Sequence, residues 1–297
     1  MLRSFRVGKL FGIPLYLHST LFLLPALVLL LGGASSLASA LMLLAYVTAL
    51  FGCVVLHELG HALTARVFGI GTESITLYPI GGVARLERMS EKPSEEIYIA
   101  LAGPAVNLVI AALLAPLALL TAAFVDGLGD APLQPAIHLA ALAGQFAALL
   151  CIGNLGLMLF NLLPCFPMDG GRVLRALLTF IFGRLRATEI AARVGLFMAF
   201  FIAAAAVIVP VASGNPINPM PIVLAMFVLF AGQYELWGVR QLEARRRMVP
   251  PVPQVELAPV PGEPRPHPDV PFSGVAWDNH YRVWVRWING RPVTFWG

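Results

Sequence analysis

Apolar runs of about 20 residues, each enough to cross a bilayer core as a helix, recur along this chain and limit its fold more than any other feature. One of them, "LMLLAYVTALFGCVVL" at 41–56, carries no charge at all. In hydrocarbon a backbone must satisfy its own N–H and C=O groups, and a helix does so within a single segment. Only 12% of the residues are charged, against roughly 25% in a soluble domain, and the mean hydropathy is +0.80. The expected fold is an all-α polytopic membrane protein.

Six transmembrane helices are expected, near residues 15–32, 39–67, 97–124, 137–160, 190–211 and 220–238. The basic residues agree with that number. All 20 Lys and Arg fall within 3–9, 66–92, 172–193, 240–247 or the tail from 265 on. Six crossings put all these segments on one side, the cytoplasmic side by the positive-inside rule, with both termini there. The membrane expected is a bacterial inner membrane. The net charge of +4 is thereby explained without nucleic acid as a partner. The start of the chain, basic residues and an apolar run before "ASSLASA", has the layout of a cleavable secretory signal. Its run is long for one and contains His18, so retention is the expectation. Cys53, Cys151 and Cys165 are odd in number and scattered through spans, which reads as buried thiols rather than a disulfide framework.

Between the second and third spans, "ESITLYP" and "GGVARLE" alternate apolar with polar residues around Pro79 and Gly81-Gly82. That pattern predicts a small β-hairpin or sheet at the cytoplasmic face. Residues 172–186, "RVLRALLTFIFGRLR", are short for a span and predict a helix lying in the interface. The domains expected are 1–240, a six-helix unit with its core at about 39–183, then a linker at 241–271, then a tail at 272–297. The linker is first basic and then stiff, with nine prolines from Pro250 to Pro271. The tail is aromatic, with a hairpin signal at Asn289-Gly290.

The chemistry is concentrated in "HELGH" at 57–61. Positions i and i+4 share a helix face, so His57 and His61 can offer nitrogens to one zinc ion at about 2.0–2.1 Å. Glu58 beside them suits a general base acting on water. A charged residue at a span centre costs roughly 2.5–3.5 kcal/mol on insertion scales, so three ionisable groups in one turn mark a functional site. A catalytic zinc takes three protein ligands, and two histidines leave one to find. His18, His138 and Glu235 lie near span ends. Asp169 sits in "FNLLPCFPMDGGRVLRALL", where Pro164 and Pro167 prevent a regular helix and Gly170 and Gly171 permit unusual backbone angles. Irregular backbone at membrane depth belongs inside protein or beside a water-filled cavity. Asp169 has two readings, the N-cap of a helix beginning near Arg172 or a metal ligand. HELGH and Asp169 both lie toward the cytoplasmic ends of their spans, and this match in depth favours the ligand.

Through "HELGH" at 57–61, "GGVA" at 81–84, "AGPAVN" at 102–107 and "NLLPCFPMDGG" at 161–171, the chain resembles the site-2 proteases, intramembrane zinc metalloproteases. The resemblance runs from about residue 5 to 240 and is nearest to the compact branch without a PDZ insertion. It implies one zinc ion per chain held by His57, His61 and Asp169, with Glu58 as the catalytic base. Asn161 and Pro164 belong to the family's substrate-positioning segment, and Asn161 is also a candidate to stabilise a developing oxyanion. Asn107 lies in a third motif, with a structural or substrate-binding part. Met168 stands where the family often has leucine, a volume-conserving change. The resemblance implies substrates that are transmembrane segments of tethered regulators such as anti-sigma factors. Clearance of remnant signal peptides, or a transporter using the same helix break, are the alternatives. The lipid bilayer is a partner and self-association is left open. A helical substrate must unwind to be cut, and the strands at 70–92 are expected to receive it as an added strand. The tail, with Trp277, Trp284, Trp287 and Trp296 beside Arg282 and Arg286, either docks at the interface or the active-site mouth, or is a tethered module.

Overall fold

Helix α2, Leu37–Val67, is the element on which the rest is hung. It appears in a computed structural model that describes residues 4–31, 36–90, 92–127, 135–216, 218–248, 273–278 and 283–296. Its 31 residues reach about 46 Å at 1.5 Å per residue. A reciprocal capping box closes its start: Ser36 Oγ accepts from the Ser39 N–H at 3.2 Å, and Ser39 Oγ from the Ser36 N–H at 3.0 Å. The chain leaves at Gly69, whose φ of +70° favours glycine. Helix α3, Pro93–Asp126, opens with proline at its first turn and Glu95 and Glu96 against the positive end of its dipole. Helices α4 (Pro135–Asn161), α5 (Asp169–Phe182), α6 (Arg184–Ser213) and α7 (Met220–Met248) follow.

Five helices among the described residues are long and apolar enough to cross a membrane, where six were expected: Leu37–Val67, Pro93–Asp126, Ile137–Asn161, Arg184–Ser213 and Met220–Leu242. The first expected span, 15–32, instead holds most of strand β2 (Ile13–His18), a 3-10 turn (Ser19–Phe22) and a nine-residue helix, α1 (Leu23–Leu31). β2 lies between β1 (Ser4–Leu10) and β3 (Thr72–Tyr78). β2 is an inner strand whose residues, IPLYL, are mostly apolar, and hydropathy alone does not separate such a run from helix.

The strands between α2 and α3, β3 and β4 (Gly81–Leu86), are therefore half of a four-stranded sheet ordered β1-β2-β3-β4. β2 and β3 run parallel and the other neighbours antiparallel. The sheet lies on α2: Ile13 and Ile75 share one buried cluster with Leu59 and Ala62, so strands press directly on the HELGH turn. The Arg66 guanidinium donates to the Phe11 carbonyl at 2.9 Å, tying the β1–β2 turn to the end of α2.

After α4 the chain doubles back over residues 162–168 before α5 begins. A Cβ on Gly170 would run into the Leu162 and Leu163 carbonyls, and one on Gly171 into the Cys165 backbone. Only glycine permits so close a return. Cys165 and Met168 of this segment pack with Ala199 of α6 and Ala225 and Val228 of α7. The interfacial helix expected at 172–186 is divided at Gly183 (φ +75°) into α5 and the first turn of α6.

Residues 247–297 form a second unit. β5 (Gly274–Asp278), β6 (Val283–Ile288) and β7 (Arg291–Trp296) make an antiparallel sheet in that order. Asn289 and Gly290, at φ +50° and +73°, turn β6 into β7. Trp277 and Trp284 face each other across β5 and β6 with rings 5.3 Å apart, edge to face. The basic stretch at 240–247 belongs to α7, which runs to Met248. The proline-rich segment and Arg282 lie outside the described residues.

Candidate metal centre

His57 and His61 project one turn apart from α2, and Asp169 is the first residue of α5. The N-cap of α5 is Met168, so Asp169 is not the cap, and its carboxylate turns to the histidines instead. Asp169 Oδ2 lies 3.1 Å from the Nε2 atoms of both His57 and His61, and those two nitrogens are 3.0 Å apart. All three residues are buried, with 4–7% of their surface exposed.

This triangle fits a cation. The Ile99 carbonyl of α3 lies 2.7 Å from His61 Nδ1. A carbonyl only accepts, so Nδ1 carries the proton and the lone pair of Nε2 faces the triangle. A lone pair, a second imidazole nitrogen and a carboxylate oxygen repel one another at this range unless a positive charge lies among them. Donor atoms about 2.0–2.1 Å from a tetrahedral zinc stand about 3.3 Å apart, a few tenths of an ångström wider than the triangle. Two imidazoles and one carboxylate are also a donor set that zinc accepts.

Two glycines make room for the arrangement. A Cβ on Gly103 of α3 would meet Nε2 of both histidines, and one on Gly82 of β4 would meet the Glu58 side chain. Glu58 is half-buried, and its Oε2 accepts from the Ala84 N–H of β4 at 2.9 Å. The β4 backbone thus reaches the carboxylate next to the metal-type ligands.

The remaining expected residues are spread around this centre. Asn161 ends α4, half-buried, and donates to the Leu157 carbonyl at 3.0 Å, while Pro164 is exposed in the returning segment. Asn107 is fully buried on α3, one turn beyond Gly103, with no hydrogen-bond partner among the described residues. His18 caps the 3-10 turn through Thr20, and His138 is exposed. Glu235 of α7 pairs with Arg175 of α5, which also pairs with Glu96 of α3. Arg175 is fully buried and stands 5.2 Å from the Phe166 ring. Sequence reasoning missed this ion triad; its signal was an arginine in the middle of the apolar "RVLRALLTF". The Ile99 carbonyl and Ala84 N–H are backbone groups, so side-chain identity carried no signal for them.

The family model for peptidase family M50 matches residues 45–202. A zinc metalloprotease of Methanocaldococcus jannaschii is 34% identical over 78% of this chain and 60% of its own length. Stage IV sporulation protein FB of Bacillus subtilis is 28% identical over 54% of this chain and 46% of its own. The chain thus spans about half to three fifths of the curated relatives it matches. A solved site-2 protease from Methanocaldococcus jannaschii superposes with a TM-score of 0.51 at 34% identity, covering 79% of this chain and 95% of that one. This chain belongs to peptidase family M50, the zinc metalloproteases of the site-2 protease type.

Proposed function

We propose that this chain is an intramembrane zinc endopeptidase that cuts peptide bonds in or next to transmembrane helices of membrane-tethered regulatory proteins such as anti-sigma factors. The observation that carries the reading is the convergence, within 3.1 Å, of donor atoms from His57 and His61 on one helix and Asp169 on another. These three side chains hold one zinc ion. Bound there, zinc supplies a Lewis acid that polarises a carbonyl and makes water nucleophilic near neutral pH. Glu58 takes the proton from the attacking water and returns it to the leaving amine. Asn161 and Pro164, at the rim where α4 breaks, position the substrate.

The free edge of β4 receives the substrate after it unwinds. β4 is an edge strand of the sheet, and its Ala84 N–H already reaches Glu58. A segment added there gives its freed amides partners and brings its carbonyls beside the general base. The topology agrees with access from the basic side. Phe11 lies at the Arg66 end of α2, which puts the β1–β2 turn on the same side as the basic end of that helix. With the five long helices this gathers the basic segments of 3–9, 66–92, 172–193 and 240–247 on one side, the cytoplasmic side of a bacterial inner membrane.

The test uses the full chain purified in detergent with a single-span model substrate. Glu58→Gln should keep its zinc and lose cleavage by about 10²–10⁴-fold, while His57→Ala and Asp169→Ala should lose zinc. Equal cleavage by Glu58→Gln and wild type refutes the reading.

A further inference from the structure

His61 and His57 differ in how they are held. His61 Nδ1 is fixed by the Ile99 carbonyl, whereas His57 Nδ1 is buried with no hydrogen-bond partner among the described residues. A metal-binding histidine almost always donates its second ring N–H to an acceptor, which sets the ring's orientation and tautomer. Three further side-chain atoms in the helices around it are buried and equally without partners: Asn107 Oδ1, Asn107 Nδ2 and Asn154 Oδ1. Both asparagines are 0% exposed. In an apolar bundle such groups are costly unless something answers them.

The helix register brings these atoms toward one place. Side chains lean toward the N-terminus of their own helix. His57 therefore leans over Cys53, one turn back on α2, and the Asn154 amide reaches that same turn from α4, with its Nδ2 3.3 Å from Cys53 Sγ. Asn107 leans toward Gly103, one turn back on α3, where a Cβ would meet His57 Nε2. Asn107 also lies one turn before Ala111, whose carbonyl accepts from Cys151 Sγ, three residues from Asn154 on α4. One donor on His57 thus stands in the layer that holds two amide oxygens and an amide N–H. A single water with two to four polar partners matches that set.

We propose that Asn107 and Asn154, with a buried water between them and His57 Nδ1, are positioning residues that hold the His57 imidazole in its metal-binding orientation. The proposal rests on the reading of His57 as a zinc ligand. It removes Asn107 from the substrate-contacting set, because a side chain with no exposed surface has none to offer a substrate.

The experiment uses the full-length protein in detergent, with zinc affinity from chelator competition, the ligand-field spectrum after cobalt substitution, and the thermal midpoint. Asn107→Leu and Asn154→Leu keep the volume and remove the polar atoms. Zinc affinity should fall 10–100-fold in each, and the cobalt spectrum should shift. The midpoint of the metal-free form reports the fold separately and should fall only moderately, because each leucine leaves the water and the His57 N–H with one partner fewer. Asn107→Ser and Asn154→Ser, which keep an oxygen and leave room for water, should recover most of the affinity and also serve if either leucine variant fails to fold. Unchanged zinc affinity and cobalt spectrum in the folded leucine variants, or equal losses with serine and leucine, overturn the proposal. His57→Ala separates the two levels. If it too retains full zinc affinity, the metal reading itself has failed; if it loses zinc while the asparagine variants do not, only the positioning role has failed.

Discussion

Gly103→Ala adds a single methyl group where two imidazoles converge, and its effect can be worked from the structure. The new Cβ would meet His61 Nε2 first, and would lie 2.6 Å from His57 Nε2 and 2.5 Å from His61 Cε1, so to reach an ordinary 3.4 Å the rings must retreat by at least 0.8–0.9 Å. Three effects compete. Alanine in a helix interior gains about 0.5–1 kcal/mol over glycine. Overpacking costs about 1–3 kcal/mol. Metal–ligand distances tolerate only about 0.2 Å, so a retreat four times as large removes one or both imidazoles from coordination. The net expectation is a protein that folds with a modest loss of stability but binds zinc at least about 100-fold more weakly, roughly 2.7 kcal/mol. Zinc competition on the purified protein reads the affinity, and thermal unfolding of the metal-free form reads the fold. Gly156→Ala is the control, since nothing lies within 4 Å of its added Cβ. If Gly103→Ala binds zinc within about threefold of wild type, the close packing of α3 on the ligand rings is not what the metal centre requires.

Arg175→Met should lower stability by up to about 3 kcal/mol in thermal or chemical unfolding, because the half-buried Glu96 and Glu235 then keep their charge with no cation between them. Arg175→Lys should recover only part, since one ammonium does not reproduce the guanidinium fork; full recovery would mean charge alone matters. Ala84→Pro removes an N–H that donates to Glu58 and blunts the β4 edge. Cleavage should drop about tenfold or more with zinc retained, and unchanged turnover would discard the strand-addition route. Stripping the metal with a chelator should abolish cleavage and lower the unfolding midpoint, with zinc restoring both, because a ligand that binds only the native state stabilises it.

The sequence was most legible where local chemistry and local structure coincide. His57, Glu58 and His61 sit within five residues, and helical spacing alone puts the histidines on one face. The five later spans were readable because long apolar helices have no competing interpretation at that length. The first was not, because an inner strand and a membrane helix share the same hydropathy and differ only in their neighbours, here β1 on one side and β3, more than fifty residues away, on the other. The ion triad was hidden for a similar reason. Glu96, Arg175 and Glu235 come from three helices, and each taken alone passes for an interfacial charge.

Sequence alone was enough to place this chain in a membrane, to put two imidazoles and a carboxylate on α2, and to require a broken backbone before Asp169. Those properties follow from composition and from periodicity along a single segment. Which backbone groups serve the site follows from packing between distant segments. Contact with the Ile99 carbonyl, the Ala84 N–H and the bare face of Gly103 depends on how α3 and β4 pack against α2, and no side chain at those positions encodes it. A hydrogen bond or a close approach is a relation between segments far apart in the chain, and it exists only once they have been brought together.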